Sequence, residues 1–329
     1  MGEPAGTSPE KIIKTVKALS ASPEVSVVVT GDVKVFRETA KQLSLPLPFT
    51  CYVGNEEELA RAEEEGEQYI FYKTSALDVS GFEPGRPTGE TGEASFKALE
   101  AAVSVALNGL AVSLVTSPVS AAALEAAGYA ERDVDSLLER FADSDMLVPM
   151  VAAGKLKLFG LSKRISVKEA RHMVTRENLL ECLIKVDSLK SSPYFDSSKP
   201  LAVVSLNPQD ADGRWQGTEE EAEMKPAIEL ARKLGIKVEG PIPAELAYAR
   251  AAEGGYWAVL SMQASEIFSA AAVAAPGEIL VITWGLPFLR VGALEDAELP
   301  LAATGRTSIR GMLKAVATGL LFRESDFLA

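Results

Sequence analysis

The chain has 329 residues, 46 acidic against 33 basic, for a formal net charge of −13, with 47% hydrophobic and 24% charged side chains. That length and balance suit a globular protein of one large or two medium domains with ample core. The acidic excess argues against nucleic acid or an anionic membrane as partner, no apolar run reaches the ~18 residues of a membrane span, and the N-terminus lacks a secretory layout, so a cytoplasmic location is expected.

Gly2 to Glu10 opens as a glycine turn in which Ser8 precedes Pro9 at the first position of a helix. A strand (Val25 to Thr30), a helix (Val33 to Leu43) and a second strand (Phe49 to Val53) follow. The acidic stretch 55–67 reads as a solvated helical face or loop, and Tyr69 to Tyr72 as a strand. Residues 74–93 carry several Gly and Pro and read as a loop. Phe96, Leu99, Val103 and Leu107 recur at helical spacing before Gly109. Val112 to Val115 is a strand leading into Thr116-Ser-Pro-Val-Ser120 and a short alanine-rich helix closed by Gly128. A helix (Val134 to Phe141), two strands (Leu147 to Val151, Leu156 to Phe159) and helices across 166–190 come next.

The most informative stretch is 201–220. Leu201 to Leu206 is almost wholly apolar, as a strand covered on both faces should be. Asn207-Pro208 stops it, Gly213 and Gly217 let a polar loop turn, and Thr218 is placed to cap a helix from Glu219 to Leu234 whose glutamates suit the dipole. Ligands bind outside the carboxyl ends of strands in open α/β sheets, so this loop is the first place to look for a site. After it come Gly240-Pro-Ile-Pro, a helix from Ala244, a strand (Trp257 to Ser261), an alanine-rich helix near 264–275, a strand (Ile279 to Thr283), the segment Trp284 to Arg290, and a last helix showing Ile309, Met312, Leu313, Val316 and Leu320 on one face. The alternation predicts an α/β fold with a mostly parallel sheet in three layers. Trp215 reads as a cleft-edge aromatic and Trp257 as core.

Two cysteines, Cys51 and Cys182, stand in apolar stretches and read as buried free thiols. The one histidine, His172, follows Ser166 and Glu169, which have capping-box spacing, and reads as a surface or packing residue. One imidazole per chain cannot build a multi-histidine metal site.

Several stretches together resemble one family, the 4-hydroxythreonine-4-phosphate dehydrogenases of vitamin B6 synthesis. They are Gly2-Glu-Pro-Ala-Gly-Thr-Ser-Pro-Glu10, Thr116-Ser-Pro-Val-Ser120 with Ala126-Ala-Gly-Tyr129, the loop ending in Gly217-Thr-Glu-Glu220, Gly240-Pro-Ile-Pro-Ala244, and Ile282-Thr-Trp-Gly-Leu-Pro-Phe-Leu-Arg290. The resemblance implies a two-lobed α/β/α subunit of the isocitrate and isopropylmalate dehydrogenase kind, with lobes at 1–115 plus 285–329 and at 116–284. The second lobe would carry the cleft and the interface of a homodimer. It further implies NAD, a phosphorylated amino alcohol and a divalent metal, with oxidation of a hydroxyl followed by metal-assisted loss of CO2. By the same resemblance Arg290, Thr116 and Ser120 would hold a phosphate, and Asn207, Gly285, Leu286 and Pro287 would face the dinucleotide.

The departures fall on the chemistry. The family's three metal-binding histidines align with Arg164, Gln209 and Ala264, so no histidine-bound metal is expected, and a guanidinium brings positive charge where a cation should sit. Its Gly-His-Thr-Glu falls at Asp133-Val-Asp-Ser136, its Asn-Lys lysine at Ala121, and the asparagine before Ile-Thr at Val281. Its dinucleotide-holding turn aligns with Leu294-Glu-Asp-Ala-Glu298, where carboxylates would repel a pyrophosphate. The family's opening motif normally follows a short strand, and this sequence begins at the motif: either that strand is absent, which would expose a neighbouring strand, or the true start lies upstream.

Three functional readings follow. One is a catalytically altered or non-catalytic member that keeps the fold and dimer to bind a small, phosphorylated ligand or to regulate. A second is an active NAD-dependent oxidoreductase, oxidatively decarboxylating a phosphorylated hydroxy acid, whose divalent metal is held by Asp210 and Asp212. Asp210-Ala-Asp-Gly213 also reads as ordinary turn chemistry, and Arg290 equally as half of a structural ion pair. The third is a partner subunit for an active paralogue.

Overall fold

The computed structural model describes residues 1–20, 22, 25–75, 77–144, 147–210, 212–294 and 298–321. The chain folds as two compact units, Met1–Asp145 with Leu286–Ala329, and Met146–Gly285. Both are mixed α/β, and parallel strands predominate, as the alternating pattern predicts.

In the first unit, strands β1 (Val27–Asp32), β2 (Cys51–Val53) and β3 (Tyr69–Ser75) form a parallel sheet in the order β1-β3-β2. Helices α1 (Ser8–Leu19), α2 (Val33–Gln42), α3 (Glu56–Glu64) and α4 (Gly89–Leu107) accompany it. β1 runs on to Asp32 because that buried carboxylate serves the next element. It caps α2 at Lys34 N (2.8 Å) and Val35 N (3.3 Å) and ties down Leu77 N at 2.6 Å. Phe36, Phe49 and Phe71 fill the core edge to face, with centroids 4.9 to 5.9 Å apart. The acidic stretch is helical: Asn55 caps α3 and three glutamates occupy its first turn, where the dipole favours them.

The loop expected over 74–93 is shorter, because α4 already begins at Gly89 behind a Thr88–Thr91 capping box. Its glycines mark close packing rather than a turn. A Cβ on Gly92 would stand 2.1 Å from the Ala123 carbonyl oxygen, and one on Gly89 2.9 Å from that of Ala126. Both oxygens belong to α5 (Ala121–Ala126), which lies on α4 as does α6 (Val134–Ala142). That packing places residues 116–144 with the first unit, whereas the sequence put a lobe boundary at 115/116. β4 (Ser113–Thr116) pairs in parallel with β11 (Leu289–Ala293), a strand the sequence pattern did not mark, which begins at the end of the Trp284 to Arg290 segment. α12 (Arg310–Gly319) packs against both strands.

The second unit is built on strands in the order β10-β5-β6-β9-β7-β8. β5 (Val148–Ala153) is antiparallel to β10 (Leu280–Trp284) and to β6 (Leu156–Gly160). From β6 through β9 (Ala258–Ser261) and β7 (Leu201–Val204) to β8 (Val238–Ile242) the pairing is parallel. β7 is fully buried, as its apolar run predicts, but ends at Val204. Helices α7 (Val167–Met173), α8 (Arg176–Ser188), α9 (Lys225–Lys233), α10 (Ala244–Ala252) and α11 (Ala264–Ala274) accompany the sheet. Thr218 makes no side-chain cap. The helix begins instead with a π-turn over Glu220–Met224 that leads into Pro226, whose ring would clash inside a regular α-turn.

His172 is exposed on α7, whose Ser166–Glu169 capping box forms as spaced. Cys51 and Cys182 are free and half-buried, and burial pushes the Cys182 thiol up to about 12. Trp257 is core, while Trp215 is half-buried in the loop after β7.

Candidate functional site

Arg164, Gln209 and Ala264 follow β6, β7 and β9, which are adjacent parallel strands, so their carboxyl ends open on one edge of the second unit. The ends of β6 and β9 are laced together: Leu161 N donates to Ser261 O at 2.9 Å and Ser162 Oγ to Met262 O at 2.9 Å. This is the position where an α/β sheet presents a ligand site. The guanidinium of Arg164 is exposed and lies 4.3 Å from the ring centroid of Phe268 on α11, a cation–π placement. Ala264 opens α11 and offers no donor atom. Gln209 is exposed, its Nε2 donating to Gly213 O at 3.1 Å. Among the described residues no group of three or more His, Cys, Asp and Glu is placed to hold a metal. The donor set does not fit a histidine-bound cation.

The described residues of the loop, 207–210 and 212–217, are bonded to one another. Gln209 bridges Trp215 in antiparallel fashion, and Gln216 N donates to Pro208 O at 3.1 Å. Asp210 Oδ1 accepts from Arg214 N at 2.7 Å, and the Arg214 side chain lies 3.7 Å from Asp210 and 3.4 Å from Asp212. Both carboxylates are thus used in turn chemistry with Arg214. Asn207, expected to face a dinucleotide, is held from behind. Its amide Nδ2 donates at 3.0 Å to both Glu219 and Glu220, and its backbone N donates to Glu220 Oε1 at 2.7 Å. Glu220 is fully buried and also accepts from Leu206 N at 2.9 Å, which is why β7 ends early. Gly217 is needed there, since a Cβ would stand 2.3 Å from Asn207 Nδ2.

A second group of groups at the β9 edge carries no sequence signal. Tyr248 Oη and Ser261 Oγ are 2.5 Å apart, and burial pushes the Tyr248 phenol up to about 12 despite that bond. Glu266, in the first turn of α11, has a carboxylate oxygen without a hydrogen-bond partner among the described residues, and burial raises its carboxyl to about 7. Periodicity places both residues on helices but cannot tell which turn faces inward.

In the first unit, Arg290 and Thr116 do come together. Arg290 is 5% exposed, donates through Nε to Thr116 Oγ1 at 3.0 Å and through Nη1 to Asp135 Oδ1 at 3.1 Å. Burial lowers its pKa from the usual arginine value, and Asp135 and Asp133 oppose that. Gly292 leaves room for the pair, because a Cβ would meet Thr116 Oγ1 at 2.8 Å and Arg290 Nη2 at 3.1 Å. Arg290 and Asp135 thus form an ion pair. Ser120 does not join it; its Oγ caps α5 at Ala123 N (3.3 Å), and Asp133 likewise caps α6. Gly285 takes φ +92° and is exposed, as is Pro287, while Leu286 is buried. Of Leu294 to Glu298, residues 295–297 lie outside the described residues.

Residues 23–319 match the model of the family described as pyridoxal phosphate biosynthetic protein PdxA. A 4-hydroxythreonine-4-phosphate dehydrogenase of Geobacter metallireducens is 28% identical over 96% of this chain and 92% of its own length. A Fusobacterium nucleatum protein, provisionally assigned as a D-threonate 4-phosphate dehydrogenase, is 28% identical over 96% and 93%. The crystal structure of 4-hydroxythreonine-4-phosphate dehydrogenase from Klebsiella pneumoniae superposes with a TM-score of 0.80 at 24% identity, over 98% of this chain and 97% of that one, a likeness of fold.

Proposed function

We propose that this chain, which belongs to the PdxA family of pyridoxal phosphate biosynthetic proteins, retains the family's dehydrogenase framework with altered or lost catalysis and serves to bind a small, phosphorylated ligand. A dehydrogenase family implies a nicotinamide cofactor and a metal. The observation that carries the proposal is the identity of the side chains that follow β6, β7 and β9. Arg164 is a permanent cation, Gln209 is turned to its own loop, and Ala264 has no donor. No step is derived through a metal at this set.

The NAD side of the reading rests on Asn207 with Gly285, Leu286 and Pro287. Asn207 is held by Glu219 and Glu220, through its side-chain amide, in a stretch that matches the family's own pattern. The Asp210–Asp212 metal has the weaker support, since Arg214 is the counter-ion of both carboxylates. A homodimer in the cytoplasm belongs to the same proposal. The last turn of α11, where Ala272, Val273 and Ala274 are exposed, is a surface that a second copy would cover.

The test is a titration of untagged protein with NAD and with Mg, Mn and Zn ions, metal content being measured on the same sample. We expect no stoichiometric metal and no NADH from 4-hydroxythreonine 4-phosphate or D-threonate 4-phosphate. A bound metal at one per chain, or metal-dependent NADH formation from either compound, overturns the proposal.

A further inference from the structure

The carboxyl end of β9 gathers oxygen-bearing side chains from three elements of the second unit. Ser261, the last residue of the strand, is fully buried. α10 and α11 both pack on β9. From α10 comes the Tyr248 phenol, 2.5 Å from Ser261 Oγ. From the first turn of α11 comes Glu266, whose charge reaches Tyr248 and adds to the rise in its pKa. Tyr248 and Glu266 are each only partly buried, so the group is not sealed from solvent.

This cluster has more acceptors than donors. Each hydroxyl holds one proton and two lone pairs, and the bond between Tyr248 and Ser261 uses up one of the protons. Against the single O–H left over stand the remaining hydroxyl lone pairs and the whole carboxylate. Glu266 Oε2 is buried without a hydrogen-bond partner among the described residues. Burial is what raises its carboxyl, and no basic group pulls it back. A carboxylate so placed costs free energy until a donor reaches it.

Water brings as many lone pairs as protons and leaves the charge unmatched. A primary ammonium brings three N–H donors, a positive charge and no acceptor, which is the complement of what these side chains present. We propose that Glu266, Tyr248 and Ser261 form a subsite for a primary ammonium group. The carboxylate pairs with its charge, and Tyr248 Oη, held in place by Ser261, accepts one of its N–H bonds. The ligand of this edge therefore carries an amino group. Adding that group to a small, phosphorylated ligand rests on the function proposed above, whereas the subsite itself does not.

The test is calorimetry on the full chain at pH 8, above the value of about 7 to which Glu266 is raised. The probes are ethanolamine, choline and ethyl phosphate. Choline keeps the charge and hydroxyl of ethanolamine but has no N–H. Ethanolamine should bind at least about tenfold more tightly than choline. Glu266→Gln, which keeps the shape of the side chain, should erase that ratio, and Tyr248→Phe should reduce it by a smaller factor. Absence of ethanolamine binding, equal binding of the two amines, or a ratio that survives Glu266→Gln overturns the subsite. Ethyl phosphate reports separately on the phosphorylated ligand: ethanolamine binding that needs Glu266, without a response to ethyl phosphate, upholds the subsite and counts against the phosphate.

Discussion

Glu220 shows how one carboxylate decides where a strand stops. It is fully buried and collects the amides of Leu206 and Asn207 together with the Asn207 side chain. Hydrogen bonds to a buried charge are worth about twice neutral ones, and an amide left without its partner costs ~1–3 kcal/mol. Glu220→Ala should therefore destabilise the protein by about 2–4 kcal/mol in urea unfolding, more than Glu221→Ala on the exposed face. Asp135 plays a comparable part for Arg290. Asp135→Asn should cost about 1–3 kcal/mol, since it leaves a nearly buried guanidinium short of its counter-ion. It should also strengthen the response to inorganic phosphate, read as a larger rise in midpoint than the parent protein shows. Glu266 adds a pH term. Its folded pKa is raised, from 4.5 to about 7, so its contribution is most favourable below pH 4.5 and is lost as pH climbs through 7. Glu266→Gln should be more stable than the parent at pH 8 and not at pH 4, a difference visible in parallel melts.

At the scale of elements, the pattern of apolar residues located most helices and strands, and capping residues fixed where several begin. Ser166 with Glu169 is a case in which local chemistry suffices, whereas the Asn55 cap before three glutamates was not read from the sequence. The failures share a cause. Gly89 and Gly92 look like loop glycines, yet they are the face on which α5 rests, a fact set by tertiary approach and silent in a single sequence. Thr218 has the composition of a cap but is bypassed because Glu219 and Glu220 reach back across the loop. Gly92→Ala should cost about 3 kcal/mol by forcing α5 off α4, whereas Thr88→Ala, which removes only half of a capping box, should cost about 1 kcal/mol.

At the scale of the molecule, the fold class was legible because strand and helix periods alternate along the whole chain. The candidate site was legible in part. The family resemblance singled out Arg164, Gln209 and Ala264, which follow neighbouring strands, and Thr116 and Arg290, which are hydrogen-bonded. It could not foresee that Asp135 would take the guanidinium, or that Tyr248 and Ser261 would meet, because those pairings depend on which helix turn faces inward. If no metal organises the strand ends, chelator treatment should leave the unfolding midpoint unchanged; a drop on chelation, restored by one equivalent of a divalent ion, would count against that. The three tryptophans, Trp215, Trp257 and Trp284, all lie in the second unit, with Trp257 and Trp284 nearly buried and Trp215 out on the loop after β7. Light absorbed at the red edge of the indole band is therefore emitted from one half of the chain only. Fluorescence follows that half, circular dichroism follows both, and any gap between the two melting curves measures how independently the halves come apart.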